Sequence, residues 1–276
     1  MKILLTGASG FIGGHIRQAL AAAGHEVTPA DRHHGIDFKQ MLKEEDWLPH
    51  LKNMDAVINA VGIIAETSGQ TFEVLHRLAP QALFSACSKS GVNLVVQISA
   101  LGADEQAFTP YQLSKKAADD ALRKLPLDWF VLRPSLVYGP GGASLAMFRR
   151  MASFPLLPLA DGGKQMVQPV HVSDVVATVL QCLQAQTTGI TLDVVGPEPL
   201  TFAEWLNLIR QKQGKPPARI LPIPFGPIVA MARVGRYLIP LLHPDNLRML
   251  QKGNTADVQP LVEFLGRPPL HAEKAL

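Results

Sequence analysis

Cysteine is almost missing from this chain: Cys87 and Cys182 are the only two in 276 residues, and each lies inside an apolar, helix-like run. A disulfide framework is thereby excluded, and the two read as free core thiols in a reducing compartment. Charge is scarce as well. Charged residues make up 18% of the chain, 26 basic against 23 acidic for a net charge of +3, and the basic ones are scattered. The electrostatic footprint of a nucleic-acid binder is absent. Nor is there a long uninterrupted hydrophobic run. The best candidate, Ile220 to Leu242, is broken by Arg233, Arg236 and four prolines, whereas a spanning helix needs about twenty predominantly apolar residues. It is expected to form helix and loop without membrane contact. No basic leader or cleavage site precedes the strand-like Lys2-Ile3-Leu4-Leu5, so the expected location is cytoplasmic. His33 and His34 are adjacent but lack a third ligand at helical or loop spacing, so no metal is expected.

What is present is a 47% apolar chain, enough for one large domain or one with a small lobe. Short β-rich runs near 2–6, 26–30, 55–60, 93–99 and 128–133 alternate with helical patterns near 12–23, 38–52, 71–90 and 111–125. That rhythm predicts a parallel sheet with helices on both faces. Near-continuous apolar strands such as Leu94-Val95-Val96-Gln97-Ile98 fit a sheet covered on both sides. After Arg133-Pro134 the rhythm fails and Gly and Pro cluster. The helix Ser173–Gln184 and strand Thr191–Val195 are expected to rejoin the first domain. The predicted fold is an α/β doubly wound parallel sheet over 1–135 and 166–195, with a smaller, mostly helical C-terminal lobe over 136–165 and 196–276. From about Pro268 the tail is expected to pack weakly.

The first strand runs into Thr6-Gly7-Ala8-Ser9-Gly10-Phe11-Ile12-Gly13-Gly14 and a helix. Glycines at 7, 10 and 13 allow a tight turn, close approach of backbone to a pyrophosphate, and close helix–strand packing. The helix start then offers free amides and a positive dipole to the anion. Strand, turn and helix together predict a dinucleotide-binding Rossmann domain, with Gly7, Ser9, Gly10, Phe11, Ile12 and Gly13 at the cofactor. Ala30-Asp31-Arg32 ends the second strand. Asp31 suits the ribose hydroxyls of NAD and Arg32 the 2′-phosphate of NADP, which leaves the choice open. Asp37 before Phe38 reads as a helix N-cap or, on the family resemblance given below, as an adenine contact with Phe38.

Tyr111 and Lys115 stand four residues apart on one helix face. A nearby cation lowers the pKa of a phenol, which otherwise titrates near 10 and is too weak a base at neutral pH. The pair is therefore a candidate for proton exchange with a hydroxyl or carbonyl.

These motifs resemble the short-chain dehydrogenase/reductase superfamily, in its extended or atypical branch of NAD-dependent epimerase/dehydratase-like proteins. Ala56-Val57-Ile58-Asn59-Ala60-Val61-Gly62 is similar to its fourth-strand motif, which puts Ala60, Val61 and Gly62 at the cofactor. Arg133-Pro134-Ser135-Leu136-Val137-Tyr138-Gly139-Pro140-Gly141 resembles its element beside the nicotinamide, with Pro134 in contact. Gln168 to Val175 and Val195 to Thr201 resemble later signatures. Ile98-Ser99-Ala100-Leu101-Gly102-Ala103-Asp104 is most similar to the subfamily around the 39 kDa accessory subunit of respiratory complex I.

The resemblance implies NAD or NADP as cofactor, and Tyr111, Lys115 and Ser99 as catalytic residues, Lys115 also holding the ribose. It departs in two places. Ala100 occupies the strand-end position where a Ser or Thr is usual, with Ser99 one residue early, and eleven residues separate Ser99 from Tyr111. The helix asparagine of many relatives is missing from Leu75-His76-Arg77-Leu78-Ala79-Pro80. Two functions follow. One is an oxidoreductase or epimerase acting on a small hydroxyl or carbonyl substrate, a nucleotide sugar among the candidates, held between domain and lobe. The other is a non-catalytic NAD(P)H-binding structural or redox-sensing protein. Arg149 and Arg150 read as a solvated helix face or a diphosphate contact, and monomer and homodimer both stay open.

Overall fold

A computed structural model describes residues 1–228 and 244–276. The chain divides into two compact units, Met1–Pro134 with Val175–Val194, and Ser135–Asp174 with Val195–Leu276.

The first unit is built on β1 (Lys2–Thr6), β2 (Glu26–Ala30), β3 (Ala56–Asn59), β4 (Leu94–Ile98), β5 (Asp128–Pro134) and β10 (Ile190–Val194), all parallel in the order β10-β5-β4-β3-β1-β2. The chain leaves β1 toward β2 and returns on the other side at β3. That reversal is the switch point where doubly wound sheets bind their ligands, at the carboxyl ends of the strands. The motif likened to a fourth strand is thus the third here.

α1 (Phe11–Ala22) buries Gly13, Ile16 and Leu20 along one stripe. α3 (Ala79–Ser90) buries Leu83, Phe84 and Cys87, and ends at Gly91 in the left-handed region. α4 (Pro110–Leu122) starts from Thr109, whose Oγ1 accepts the Gln112 amide at 3.3 Å, with Pro110 in the first turn. Ile3, Leu4, Leu5, Val57, Ile58, Val95 and Val96 are all wholly buried, each worth about 1.5–3 kcal/mol.

The expected helix over 38–52 does not form. Asp37 turns the chain instead, its Oδ1 accepting the Lys39 amide at 3.1 Å. Only the four-residue α2 (Glu44–Trp47) and a 3-10 turn at Leu48–His50 follow, with Pro49 and the positive φ of Asn53 (61°) closing them off. Phe38 is buried edge-on against Trp47 at 5.1 Å between ring centroids, so the pattern reflects core anchors and not helix periodicity.

The second unit contains the parallel pairs β6 (Val137–Tyr138) with β9 (Val170–His171) and β7 (Leu156–Ala160) with β12 (Arg219–Ile223), and the antiparallel pair β8 (Met166–Val167) with β11 (Leu200–Thr201). Its core gathers Tyr138, Phe148, Leu157 and Trp205 between α5 (Ala143–Ala152) and α7 (Phe202–Lys212). Residues 166–174, expected in the first domain, group here because β8 and β9 pair with strands of this unit. Residues 219–223 are strand where helix and loop were expected, and the rest of that stretch, 229–243, lies outside the described residues. The tail is tied down rather than loose. Arg267 meets the buried Asp174 at 2.8 Å, the Leu270 amide donates to Asp174 Oδ2 at 2.9 Å, and Ala272, Ala275 and Leu276 pack on the core. Among the described residues no helix is long and apolar enough to cross a membrane. Both cysteines are buried and unpaired.

Candidate functional site

The glycine turn sits where β1 meets β3. Gly7 has φ +69°, and a Cβ there would stand 2.7 Å from the Ala60 carbonyl group. A Cβ on Gly13 would stand 2.1 Å from Gly7 O, and one on Gly10 3.2 Å from the same oxygen. Turn and helix are therefore drawn as close as backbone allows, closed by Gly10 N donating to Gly7 O at 2.9 Å. Gly10 caps α1 without any side-chain hydrogen bond. The amides of Phe11, Ile12 and Gly13 thus have no partner four residues back within α1, and stand beside the exposed Ser9 with the helix dipole behind them. This donor set fits a dinucleotide pyrophosphate.

At the end of β2, Asp31 is buried, and its Oδ1 accepts three hydrogen bonds: from the amides of His33 (3.0 Å) and His34 (3.2 Å), and from His34 Nδ1 (2.7 Å). Burial works to raise its pKa, but the His34 ring and the two amides outweigh it, and the carboxyl falls below its ordinary range. Those bonds all go to one oxygen, which leaves Oδ2 for a ribose hydroxyl. The neighbouring Arg32 is exposed. Asp37 and Phe38 serve the turn and the core described above, so the adenine role that the resemblance implied for them gains no support from their positions. Asp37 caps a turn and not a helix.

The other half of the site lies on α4. Tyr111 is half-buried and Lys115 fully buried on the same face. Lys115 Nζ donates to Val61 O and to Ile98 O, each at 3.0 Å. A Cβ on Gly62 would come within 3.3 Å of that nitrogen. Residues 60–62 are thus gripped from both sides, by Gly7 at Ala60 and by Lys115 at Val61. Burial pushes the Lys115 pKa down to about 8 against the opposing pull of Asp119. Burial and the Asp119 charge push the Tyr111 phenol up to about 12. Pro134 closes β5, buried, its carbonyl accepting the Leu101 amide at 2.9 Å.

Ser99 is not aimed into the crevice. Side chains alternate along a strand, and this one faces α4, where its Oγ donates to Asp119 Oδ2. Ala100, buried, takes the next position and offers no donor. The hydroxyl that the resemblance would use on substrate is committed elsewhere.

His76 was visible in the sequence only as the replacement for an asparagine, and its position gives it much more to do. It lies in a π-helical segment, Glu73–Leu78, running into α3. The Ile63 amide donates to its Nε2 at 2.9 Å, so Nδ1 carries the proton and donates to Ser114 Oγ at 3.1 Å. Ser114 in turn donates to Tyr111 O at 2.8 Å. Phe72 stacks on the imidazole at 5.2 Å, and the Tyr111 ring meets it edge-on at 5.5 Å. Burial and the Lys115 charge push the His76 pKa down to about 2, so it is neutral throughout the working pH range. The π-helix is the signal that marks it, and spacing in sequence does not reveal an inserted residue of that kind.

Residues 3–195 match the NAD dependent epimerase/dehydratase family. The chain is 28% identical to NADH dehydrogenase [ubiquinone] 1 alpha subcomplex subunit 9 of Arabidopsis thaliana mitochondria, over 87% of this chain and 65% of that protein. It is 26% identical to a ceramide reductase of Caulobacter vibrioides, over 80% of this chain and 73% of the relative. The chain therefore spans just under two thirds of the length of the mitochondrial relative. In fold it is similar to MoeE5, solved in complex with UDP-glucuronic acid and NAD, at a TM-score of 0.74 and 22% identity over the whole chain and 96% of that structure. The match runs from β1 through β10, the stretch that carries the glycine turn, Tyr111 and Lys115. The chain belongs to the NAD dependent epimerase/dehydratase family.

Proposed function

We propose that this protein binds NAD or NADP across the carboxyl edge of its sheet and catalyses oxidation–reduction or epimerisation of a hydroxyl or carbonyl substrate, with Tyr111 moving the proton. One observation carries the reading: the loop at Ala60–Gly62 is packed against Gly7 of the phosphate turn on one side and bonded to Lys115 on the other. Phosphate cradle and proton-transfer helix therefore flank one crevice. Nucleotide sugars enter as candidates through MoeE5, and an apolar carbonyl substrate through the ceramide reductase. The second unit is the substrate-selecting part of the proposal, and the cytoplasm its location.

When bound, the nicotinamide ring supplies or accepts the hydride. The amides at the start of α1 would hold the pyrophosphate. Asp31 Oδ2 or Arg32 would meet the adenosine ribose, and the ammonium of Lys115 would hold the nicotinamide ribose. Tyr111 is a protonated phenol at neutral pH, suited to donating its proton to a carbonyl oxygen as reduction proceeds. Ser99 takes no part. The test is steady-state turnover over ketones and nucleotide sugars. Tyr111→Phe is expected to lower kcat by about 10²–10⁴-fold while the nucleotide Kd holds. Equal rates in both proteins would rule out this use of the phenol.

One observation favours a second reading, a protein that holds NAD(P)H without turning it over. The usual second donor to a substrate oxygen is lost, since Ala100 has none and Ser99 is bound to Asp119. Protein that purifies with stoichiometric nucleotide, shows no turnover and is unchanged by Tyr111→Phe would establish it.

A further inference from the structure

Beneath the crevice lies a set of buried polar side chains that the proposed reaction leaves unused. Thr6 Oγ1 donates to Asn59 Oδ1 at 2.5 Å, and Asn59 Nδ2 donates to Gln97 Oε1 at 2.7 Å. The Gln97 side-chain nitrogen makes no hydrogen bond of its own, and neither does Asp119 Oδ1, while Asp119 Oδ2 receives the Ser99 hydroxyl. Thr6, Asn59, Gln97 and Asp119 are wholly buried, and Ser99 nearly so. Every donor in this chain points the same way. It starts beside Gly7 at the end of β1, crosses the end of β3 and stops at Gln97 on β4. Apolar residues would fill such a layer at less risk, because each polar group left unpaired in it costs about 1–3 kcal/mol. The hydrogen bond that reaches the Asp119 carboxylate comes from Ser99.

That anion sits one helical turn beyond Lys115 on the same buried face. The other titratable groups around the lysine are few: Tyr111 on α4 and His76 from the π-helical segment, while β4 contributes Ser99 and Gln97, which do not titrate. Arg123 lies beyond Asp119 and is shared with Asp120 at 2.8 Å and with Thr191. Among the described residues Asp119 is the acidic group that favours the charged form of Lys115, beside the two carbonyls that accept from it, and burial opposes them.

We propose that Asp119 is the positioning residue for Lys115: the buried anion one helical turn beyond it that keeps this ammonium charged where it is to meet a bound cofactor. The two carbonyls holding Lys115 Nζ orient it, and Asp119 holds the proton on it. Burial pushes the Asp119 carboxyl up to about 6, against Ser99, Lys115, Arg123 and Gln97, so it is ionised at neutral pH. The cofactor half of the proposal rests on the function read above, and the experiment therefore observes the lysine itself.

Protein labelled with 13C at lysine Cε is titrated by NMR, and the Lys115 resonance is assigned through Lys115→Arg. The wild-type midpoint is expected near the value of about 8 given above. In Asp119→Asn, which keeps the shape and removes the charge, the midpoint should fall by at least about one pH unit. Asp119→Glu should restore it. A merely structural role would lower the melting temperature and leave the midpoint in place, and an unmoved midpoint overturns the assignment. Asp119→Ser, neutral and smaller, should shift it in the same direction. Failure of both neutral variants to fold would make Asp119 a folding residue and also overturn it. NADH and NADPH affinities of the same proteins at pH 8 should weaken about fivefold for a shift of one pH unit, as the charged fraction of Lys115 falls. A moved midpoint with unchanged affinity would leave Asp119 as the partner of Lys115 and sink the ribose contact instead.

Discussion

The two sides of the crevice are built by opposite means. On the β1–α1 side the working groups are backbone amides, and side chains matter chiefly by being absent, at Gly7, Gly10 and Gly13. On the α4 side the working groups are side chains, and each depends on partners far away in sequence: Lys115 on Val61 and Ile98, His76 on Ile63 and Ser114. A site made from absent side chains tolerates nothing added. A site made from paired side chains tolerates little removed.

The largest expected effect tests the first half of that contrast. Gly13→Ala would put a methyl 2.1 Å from Gly7 O, with backbone on both sides and no side chain to yield. It should cost about 1–3 kcal/mol of stability. It should also abolish the rise in melting temperature that NADH or NADPH confers on the wild type. Gly14→Ala, one residue on, meets its nearest atom at 3.8 Å. It should keep nucleotide binding and gain up to about 1 kcal/mol from helix propensity. If the two variants behave alike, close packing is not what the turn is for.

The same contrast explains what could be read from the sequence. The glycine spacing, the apolar strands and the Tyr111/Lys115 face follow from periods of the chain, and the structure has β1, α1, β3 and β4 within a residue or two of expectation, with α4 ending three residues early. Phe38, Met41, Trp47 and Leu51 look like a helical stripe because they fill one core, yet a turn at Asp37 and Pro49 prevent a long helix. Ser99 looked one residue out of place for substrate, and is in place for Asp119. Asp119 itself was legible in principle, as the next residue on the 111/115 face. The inward turn of His76 was not, because a π-helical insertion breaks the period that would have revealed it. The tail at 268–276 was misjudged because its anchor, Asp174, is distant in sequence.

A smaller effect tests the side-chain half. His76 titrates at about 2 when folded, against about 6.5 in an unfolded chain. Its folded pKa is lowered, so the unfolded state takes up the proton first as pH falls. The stability it contributes is complete above about pH 6.5 and declines below it, by up to about 1.4 kcal/mol per pH unit. Urea denaturation between pH 7.5 and 5 should show that slope. In His76→Gln, which leaves at least one of the Ile63 and Ser114 contacts unmade, the slope from this group should vanish and stability at pH 7.5 should drop by about 1–3 kcal/mol. An unchanged slope would mean that the imidazole is not held neutral, and the chain from Ile63 to Tyr111 would lose its middle link.

The smallest effect is expected where the two ways of building meet, at the end of β2. Asp31 spends Oδ1 on its own turn, as a side chain paired with backbone, and keeps Oδ2 for a ligand. The Arg32 side chain is exposed and has no hydrogen-bond or ion-pair partner among the described residues. Removing Arg32 should therefore disturb nothing but an incoming phosphate. Arg32→Ala should leave stability within about 0.5 kcal/mol and NADH affinity unchanged. NADPH affinity should fall by about tenfold, the worth of one charge-assisted contact to phosphate. Asp31→Ala should do the reverse to the fold, losing about 1 kcal/mol with its cap whichever nucleotide is present. Fluorescence titration with both reduced nucleotides separates the two. If Arg32→Ala weakens NADH and NADPH equally, the guanidinium is not reading the 2′ position, and discrimination at this corner rests on Asp31 alone.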